Sequence, residues 1–593
     1  MVSERRHIYI GCMQVTRLFD IPPYQQVHFP KSDCIVTKEN GHWRSYSTQE
    51  LIDVSERIAL GLIALGVGPG HKVALCSGNR SEWALVDQAI LRTGAVTVPI
   101  YPTSSKEDYA YILQHAGINV AFSGSAEIHQ KVSAGGPQHC FTFDQVPGAK
   151  HWTEVMTLDN KALHPVLRGY EKGVGTNDLA TIIYTSGTTG KPKGVMLSHA
   201  NIISNLEASI SRFPVDSKAK AISFLPLSHI YERMLMYMYL RTGVSIYFQE
   251  SLEDLGDRIR EVRPDVFTAV PRLLEKIYDK IVAKGEALTG IKRWLFFWAL
   301  DLGHRYDVHG TSWWYRFQLG IARKLIFSKW IEALGGRVRV VASGSAALQV
   351  RLARVFNAAG IPVMEGYGLT ESSPVLSVND MRNDGLRFGS VGKPLPGVQV
   401  RIAEDGEILA KGPNIMQGYY LEPELTKEAL DAEGWLHTGD IGEITKEGFL
   451  RITDRKKEIF KTSGGKYVAP QVLENRLKAS RFIEQAIVIG ENRKFPAALI
   501  VPDFTFLKDY CALKEIPFTT REQVITDKRI VDRIFQEVQE ANADIGHWEQ
   551  VKKIALLPQE FTIEAGDLTP SLKLRRKPIL AKNAAVVERI YGE

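Results

Sequence analysis

Residues 184–194 read YTSGTTGKPKG: after one tyrosine come three glycines, four Ser/Thr hydroxyls and two lysines. Glycine lets backbone N–H groups approach an anion closely, hydroxyls add donors, and lysine adds charge. Thr185, Ser186, Gly187, Thr188, Thr189, Gly190 and Lys191 are therefore suited to wrapping phosphate. The nucleotide P-loop, G-x-x-x-x-G-K-[ST], is a different pattern. Here Gly187 stands three residues before Gly190, and Pro192 occupies the place of the Ser/Thr that would hold magnesium. Further along, Gly344, Ser345 and Ala346 form a turn of small residues against which a flat base can lie. The run EGYGLTE supplies Glu365, Gly366, Tyr367, Gly368, Thr370 and Glu371. A carboxylate such as Glu371 beside phosphates is what magnesium needs, because that ion takes few protein oxygens besides phosphate and water. Asp440 follows a tight Thr-Gly turn, and its two oxygens can accept from a pair of ribose hydroxyls.

These residues need elements to position them. Upstream of the glycine-rich loop, LATIIY (179–184) is a β-branched run that predicts a buried strand. Residues 47–67 repeat apolar side chains at helical spacing, and Ser47 with Glu50 predicts a capping box. Strand and helix then alternate through Phe122, which predicts an α/β fold with a mainly parallel sheet. Residues 197–210 read as a helix and 220–226 as a strand, which places His229 where a strand gives way to a helix. Ligands are often met at such positions in open α/β sheets, although a lone histidine is more often structural. The Met- and Tyr-rich run 234–239 suits either an acyl channel or a core.

The segment 290–331 stands apart. It holds Trp294, Trp298, Trp313, Trp314 and Trp330, half of the ten tryptophans, and its basic residues outnumber Asp301 and Asp307. Ile291, Leu295, Trp298 and Leu302 share one helical face, and so do Trp314, Phe317, Ile321 and Leu325. Two readings fit: helices packing an aromatic stripe into a core, or basic amphipathic helices on a membrane surface.

At 593 residues the chain is too long for one core. A hydrophobic content of 44% and a charged content of 24% are those of a soluble globular protein. A net charge of +6 is small for this length and does not imply nucleic acid. The five cysteines are scattered without metal-ligand spacing, which predicts a reducing compartment. Residues 1–14 lack the apolar core of a signal peptide. No apolar run approaches the ~20 residues of a membrane span. The expected location is cytoplasmic, with at most a peripheral contact on the inner face of a membrane.

Taken in order, these motifs resemble the adenylate-forming superfamily of acyl-CoA synthetases, adenylation domains and luciferases. LPLSHIYERM, the aromatic-basic segment and NADIGHWEQVKK are similar to long-chain fatty-acid CoA ligases. The resemblance implies a large N-terminal domain of packed α/β sheets, 1–453, and a smaller mobile α+β domain, 454–593. It implies that residues 185–191 hold ATP phosphates, that 344–346 and 365–368 form the adenine pocket with Tyr367 stacked on the base, and that Thr370 and Glu371 meet phosphate and magnesium. His229 would border the carboxylate and phosphate site. Asp440 would be the ribose ligand, Arg455 a second ribose or phosphate contact, and Lys457 the hinge.

The catalytic lysine of the family matches Lys573 in LTPSLKLRRKPI, where Leu572 replaces the usual glycine of S-G-K; Lys577 is the alternative. The implied reaction joins a fatty acid to coenzyme A through an acyl-adenylate, with ATP and Mg2+. The rivals are a fatty-acyl-AMP ligase serving a carrier protein, an amino-acid-adenylating module, and a lipid-binding membrane adaptor without catalysis. The intact Lys573, Glu371 and Asp440 argue against the adaptor, and the absence of a following carrier domain argues against the module.

Overall fold

The computed structural model describes residues 14–185, 191–382, 384–543, 545–563, 565–569 and 574–592. The chain divides into two compact units, one of residues 1–400 and 410–437 and the other of 401–409 and 438–593. The units part at 437/438, N-terminal of the anticipated 453/454. Residues 440–444 pair antiparallel with 450–455, from Asp440 with Arg455 to Ile444 with Leu450 with a bulge between Ile441 and Gly442, so a cut at 453 would split one ladder.

The large unit contains two sheets. In one, eight strands run in the order Gly418–Tyr419, Lys193–Ser198, Leu179–Thr185, Val96–Pro99, Lys72–Cys76, Val120–Ser123, His139–Thr142 and Lys150–His151. In the other, nine strands run from Lys393–Pro394 through Val375–Val378, Val363–Gly368, Val340–Ser343, Val266–Ala269, Lys220–Ser223 and Ser245–Phe248 to Ile35–Glu39 and His42–Tyr46. Most pairings of both sheets are parallel, as the strand–helix alternation predicts; Leu179–Thr185 with Lys193–Ser198 and Val363–Gly368 with Val375–Val378 are antiparallel.

Both faces of each sheet are covered, and the two-residue period of the strands divides their side chains between separate cores. Val73 and Leu75 enter one core while Ala74 and Cys76 enter another. Ala221, Val266 and Val340 join the first, whereas Ile222, Phe267 and Val341 face a third. The first core draws on both sheets and on the helices Thr48–Ala64, Ser81–Arg92, His199–Ile210 and Ile230–Thr242. Every residue of Ser81–Arg92 is buried. Met234, Met236, Met238, Tyr237 and Tyr239 all belong to this core.

Local signals form as read: Ser47 caps Thr48–Ala64, and its hydroxyl and the Glu50 carboxylate make the reciprocal capping box. One reading needs correction. Residues 197 and 198 belong to the strand Lys193–Ser198, and the helix starts at His199 because the Ser198 hydroxyl accepts from the N–H of Asn201.

The smaller unit is α+β. Ile483–Ile489 and Ala497–Pro502 pair antiparallel, Lys553–Leu556 adds parallel, and Pro470–Leu477 and Lys528–Ala541 contribute to the same core. Arg576 fastens this unit internally, with salt bridges to Glu474 and Glu458 and a hydrogen bond to the Val488 carbonyl at 2.9 Å.

Candidate active site

The strand Leu179–Thr185 sits inside the eight-stranded sheet, and Lys193–Ser198 returns antiparallel to it with Thr185 opposite Lys193. Residues 186–190 (Ser186, Gly187, Thr188, Thr189 and Gly190) lie outside the described residues, but both arms that carry them are described. Cations and aromatic rings gather at the base. The ammonium of Lys191 lies 5.2 Å from the centre of the Tyr111 ring, and that of Lys193 lies 5.3 Å from the Tyr419 ring. Tyr184 and His115 are hydrogen-bonded at 2.7 Å. Aromatic faces hold the ammonium groups without neutralising them, so the charge stays available to an anion.

Tyr419 connects this hairpin to Glu371. It pairs with Val195 on the returning strand, and its hydroxyl donates to Glu371 Oε1 at 2.8 Å. The N–H of Met416 also donates to the Glu371 carbonyl at 2.9 Å. Burial and the neighbouring carboxylate push the Tyr419 hydroxyl well above its ordinary pKa, so it stays a donor. The second oxygen of Glu371 accepts no hydrogen bond from the described residues. Among the described residues, no group of three or more His, Cys, Asp or Glu side chains is placed to hold a metal. A single carboxylate with one oxygen available suits magnesium that is otherwise held by phosphates and water.

The adenine-pocket candidates meet at one edge of the nine-stranded sheet. Val340–Ser343 and Val363–Gly368 are parallel neighbours with Ser343 beside Glu365, so the turn 344–346 emerges next to Gly366, Tyr367 and Gly368. This is the carboxyl edge of the strands, where open α/β sheets bind ligands. Gly344 leaves room for Tyr231: a Cβ there would stand 3.3 Å from the ring. Gly368 is required outright, because its Cβ would fall 1.8 Å from the Pro374 carbonyl oxygen. Glu365 is buried, and burial pushes its carboxyl up to about 8 against a hydrogen bond from the Leu348 backbone. At neutral pH that carboxyl is protonated and can donate.

His229 is the N-cap of Ile230–Thr242, and its Nδ1 accepts from the Tyr231 N–H at 3.1 Å, which leaves the proton of the neutral ring on Nε2. The cap turns Tyr231 toward Gly344, so the His229 turn and the 344–346 turn border the same space.

Beneath the site are groups that sequence reasoning missed. Glu232 is buried, accepts from Thr268 and is pushed up to about 7 by burial. Arg233 and Asp87 form an ion pair with no exposure on either side. Arg233 also donates to Thr181 Oγ1 at 2.7 Å on the strand that leads to Thr185. An acid and a base inside the apolar run IYERMLMYMYL were the available signal.

In the smaller unit, Asp440 and Arg455 are register partners, with Arg455 Nε 3.2 Å from Asp440 Oδ1. Asp440 is buried while Arg455 is half-buried, so the pair fixes the carboxylate at the surface of its sheet. Lys457 is exposed in the turn after Leu450–Arg455. Lys573 lies outside the described residues; the chain on either side of it is joined by an antiparallel bridge between Leu568 and Leu574. Thr185, Lys191, Glu371, Tyr367, Gly344 and His229 are thus parts of the large unit, and Asp440, Arg455 and Lys457 parts of the smaller one.

One strand edge carries the hairpin of Thr185 and Lys193 linked through Tyr419 to the Glu371 carboxylate, and the other carries Gly344 against the Tyr231 ring, an arrangement suited to a nucleotide. The chain belongs to the AMP-binding enzyme family: the family model matches residues 24–420, and that of the AMP-binding enzyme C-terminal domain matches 457–593. Among curated relatives, long-chain-fatty-acid–CoA ligase FadD15 of Mycobacterium bovis is 34% identical over 565 residues, 93% of each chain. Long-chain-fatty-acid–CoA ligase 1 of Homo sapiens is 33% identical over 603 residues, 93% of this chain and 82% of that one. The adenylation domain of a carboxylate reductase from Mycobacterium chelonae superposes with a TM-score of 0.74 at 21% identity, over 97% of this chain and 91% of that one. ATP-bound MatB from Rhodopseudomonas palustris superposes with a TM-score of 0.71 at 21% identity, over 96% and 99%.

Proposed function

We propose that this chain is an AMP-forming long-chain fatty-acid–CoA ligase. The observation that carries the reading is the link from the phosphate hairpin through Tyr419 to Glu371, in a chain similar to long-chain-fatty-acid–CoA ligases along 93% of its length. In the first step a carboxylate oxygen of the fatty acid attacks the α-phosphorus of ATP, and the bond to pyrophosphate breaks. In the second the thiol sulfur of coenzyme A attacks the acyl carbon, loses its proton, and AMP leaves with the former carboxylate oxygen. No enzyme nucleophile is needed, so the residues position groups and stabilise charge.

Residues 185–191 take the β- and γ-phosphates, while 344–346 and 365–368 take adenine. His229 borders the carboxylate, Asp440 and Arg455 take ribose, and Lys573 bridges carboxylate and α-phosphate oxygens. Glu371 would hold magnesium, which supplies charge neutralisation of the phosphates. The smaller domain turns about Lys457 between the two steps. We include in the reading a cytoplasmic location, supported by free thiols at Cys34, Cys76, Cys140 and Cys511, and a peripheral contact of 290–331 with a membrane. Among the described residues no helix is long and apolar enough to cross one.

The test is a product assay with ATP, Mg2+ and fatty acids of graded length, offered either coenzyme A or an acyl carrier protein. Acyl-CoA, AMP and pyrophosphate in equal amounts support the reading. Acyl transfer to the carrier protein alone would make the chain a fatty-acyl-AMP ligase instead.

A further inference from the structure

The helices Gly290–His304 and Trp313–Ala322 are each anchored by one face. Phe296, Ala299 and Leu302 of the first and Leu319 and Ala322 of the second are buried in the core against the nine-stranded sheet, with Phe327 and Trp330 beyond them. The Tyr315 hydroxyl donates to the Leu302 carbonyl at 2.6 Å, and Arg323 donates to that of Ala358 at 2.8 Å. These contacts hold the pair firmly, so its outer face is a built surface.

That outer face is apolar. Trp314, Phe317, Ile321 and Leu325, which recur at helical spacing, are 53%, 54%, 38% and 47% exposed. Trp313 is 77% exposed, and Ile291 and Trp294 on the first helix are 77% and 64% exposed. The rings are already ordered against one another, Trp314 on Phe317 at 5.6 Å and Trp294 on Trp298 at 6.3 Å between centres. An amphipathic helix normally turns such a stripe inward; here it points to solvent. Monomeric proteins rarely expose so many large apolar side chains in one region unless something covers them.

The charge around the stripe identifies the cover. From 308 to 331 the chain has no Asp or Glu, while Arg316, Arg323, Lys324 and Lys329 are all exposed, and Lys292 and Arg293 flank Ile291 and Trp294. A second copy of the chain would set these cations against themselves, with Asp301 and Asp307 the only acids of 290–331 to answer, which disfavours self-association. A leaflet with anionic headgroups complements them and accepts the aromatic rings at the acyl boundary.

We propose that the outer face of 313–325, with Ile291 and Trp294, is an interfacial anchor that seats the enzyme on an anionic bilayer. This rests on the peripheral contact proposed above and assigns its residues and lipid class. Because a long-chain acid partitions into the bilayer, the anchor places the enzyme where its substrate is.

The test uses the full-length enzyme sedimented with phosphatidylcholine vesicles, with and without roughly 30% phosphatidylglycerol. Two variants are compared, Trp313→Ser/Trp314→Ser/Phe317→Ser and Arg316→Gln/Lys324→Gln/Lys329→Gln. Each cation near an anionic surface is worth about fivefold in partition, so the charge variant should lose on the order of 100-fold on mixed vesicles and little on neutral ones. The aromatic variant should lose at least about tenfold on both. Brominated lipid should quench wild-type tryptophan fluorescence, a readout that does not depend on either variant folding.

Activity on a short soluble acid should be unchanged in both variants, because none of these residues is placed in the nucleotide site. Wild-type-like binding by both variants overturns the anchor while leaving a peripheral contact elsewhere. Absent wild-type binding and quenching overturns both, with soluble activity reporting separately on the ligase reading. A wild-type dimer that the aromatic variant dissociates would make the face an interface between copies and overturn the proposal.

Discussion

Replacing Arg233 by methionine removes the charge from a strut beneath the strand that ends at Thr185. Arg233 and Asp87 are both fully buried, and the pair is embedded in hydroxyls. Arg233 donates to Thr181 Oγ1 at 2.7 Å and to the Tyr237 hydroxyl at 2.9 Å. Thr97 Oγ1 donates to Asp87 at 2.8 Å, and Tyr237 donates to its other oxygen. One helix, Ser81–Arg92, is thereby tied to another, Ile230–Thr242, and to the strand ending at Thr185. Methionine fills the volume but leaves Asp87 buried with two hydroxyl donors and no counter-charge. Breaking a buried pair from one side costs about 3–5 kcal/mol, whereas replacing both partners with apolar groups is often close to neutral.

Arg233→Met and Asp87→Leu should each therefore lower the stability of the large unit by about 3–5 kcal/mol, and the double variant should recover most of that. Urea unfolding read through tryptophan fluorescence measures it, since Trp83 is buried with the Arg233 guanidinium 5.3 Å from its ring. Adenylate formation should follow the same pattern, because Thr181 and Thr185 share a strand. A single variant losing less than about 1 kcal/mol, or a double losing the sum of the singles, would refute the strut.

Tyr419→Phe removes a hydrogen bond to a charged acceptor, worth about 1.5–3 kcal/mol. It should raise the Mg2+ concentration for half-maximal adenylation by about tenfold or more, with Mn2+·ATP affinity followed by electron paramagnetic resonance as a second readout. An unchanged Mg2+ requirement would separate Tyr419 from the metal. Glu232 is raised by burial from 4.5 to about 7, so the folded chain keeps a proton that the unfolded chain loses above 4.5. Its contribution is fully present below that value and is lost as pH rises toward 7. Glu232→Gln should therefore flatten stability between pH 5 and 7 and gain up to about 3 kcal/mol above it, and identical urea midpoint profiles would contradict this. Lys457→Pro, which restricts a backbone torsion, should slow thioester formation far more than adenylation; equal rates in both steps would remove Lys457 as the pivot. Lys573→Ala should abolish adenylation yet spare thioester formation from presynthesised acyl-AMP, and a matching loss on Lys577→Ala alone would move the assignment.

Much of the scaffold was legible because its signals are local. The β-branched run before Thr185, the Ser47–Glu50 box and the strand–helix alternation each depend on neighbours within a few residues. Tyr419 with Glu371, Glu232 with Thr268, and Arg233 with Asp87 were not legible, because each pair joins parts of the chain that only the sheets bring together. The strand Lys193–Ser198 was hidden by its glycine and by the lysine–proline run before it. Periodicity put Trp314, Phe317, Ile321 and Leu325 on one face but carried no direction. The opposite face took the core through Leu319 and Ala322, and the aromatic stripe was left outside. In the first helix the shared face divides, with Leu302 buried and Ile291 exposed.

Oxygen-isotope transfer tests the central claim most directly. The enzyme is supplied with a long-chain acid carrying 18O in both carboxylate positions, together with ATP, Mg2+ and coenzyme A, and the products are read by mass spectrometry. Attack of the carboxylate on the α-phosphorus predicts one 18O atom in the phosphate of AMP, one in the thioester carbonyl and none in pyrophosphate. Label in inorganic phosphate with formation of ADP, or unlabelled AMP beside a labelled thioester, would contradict activation through an acyl-adenylate.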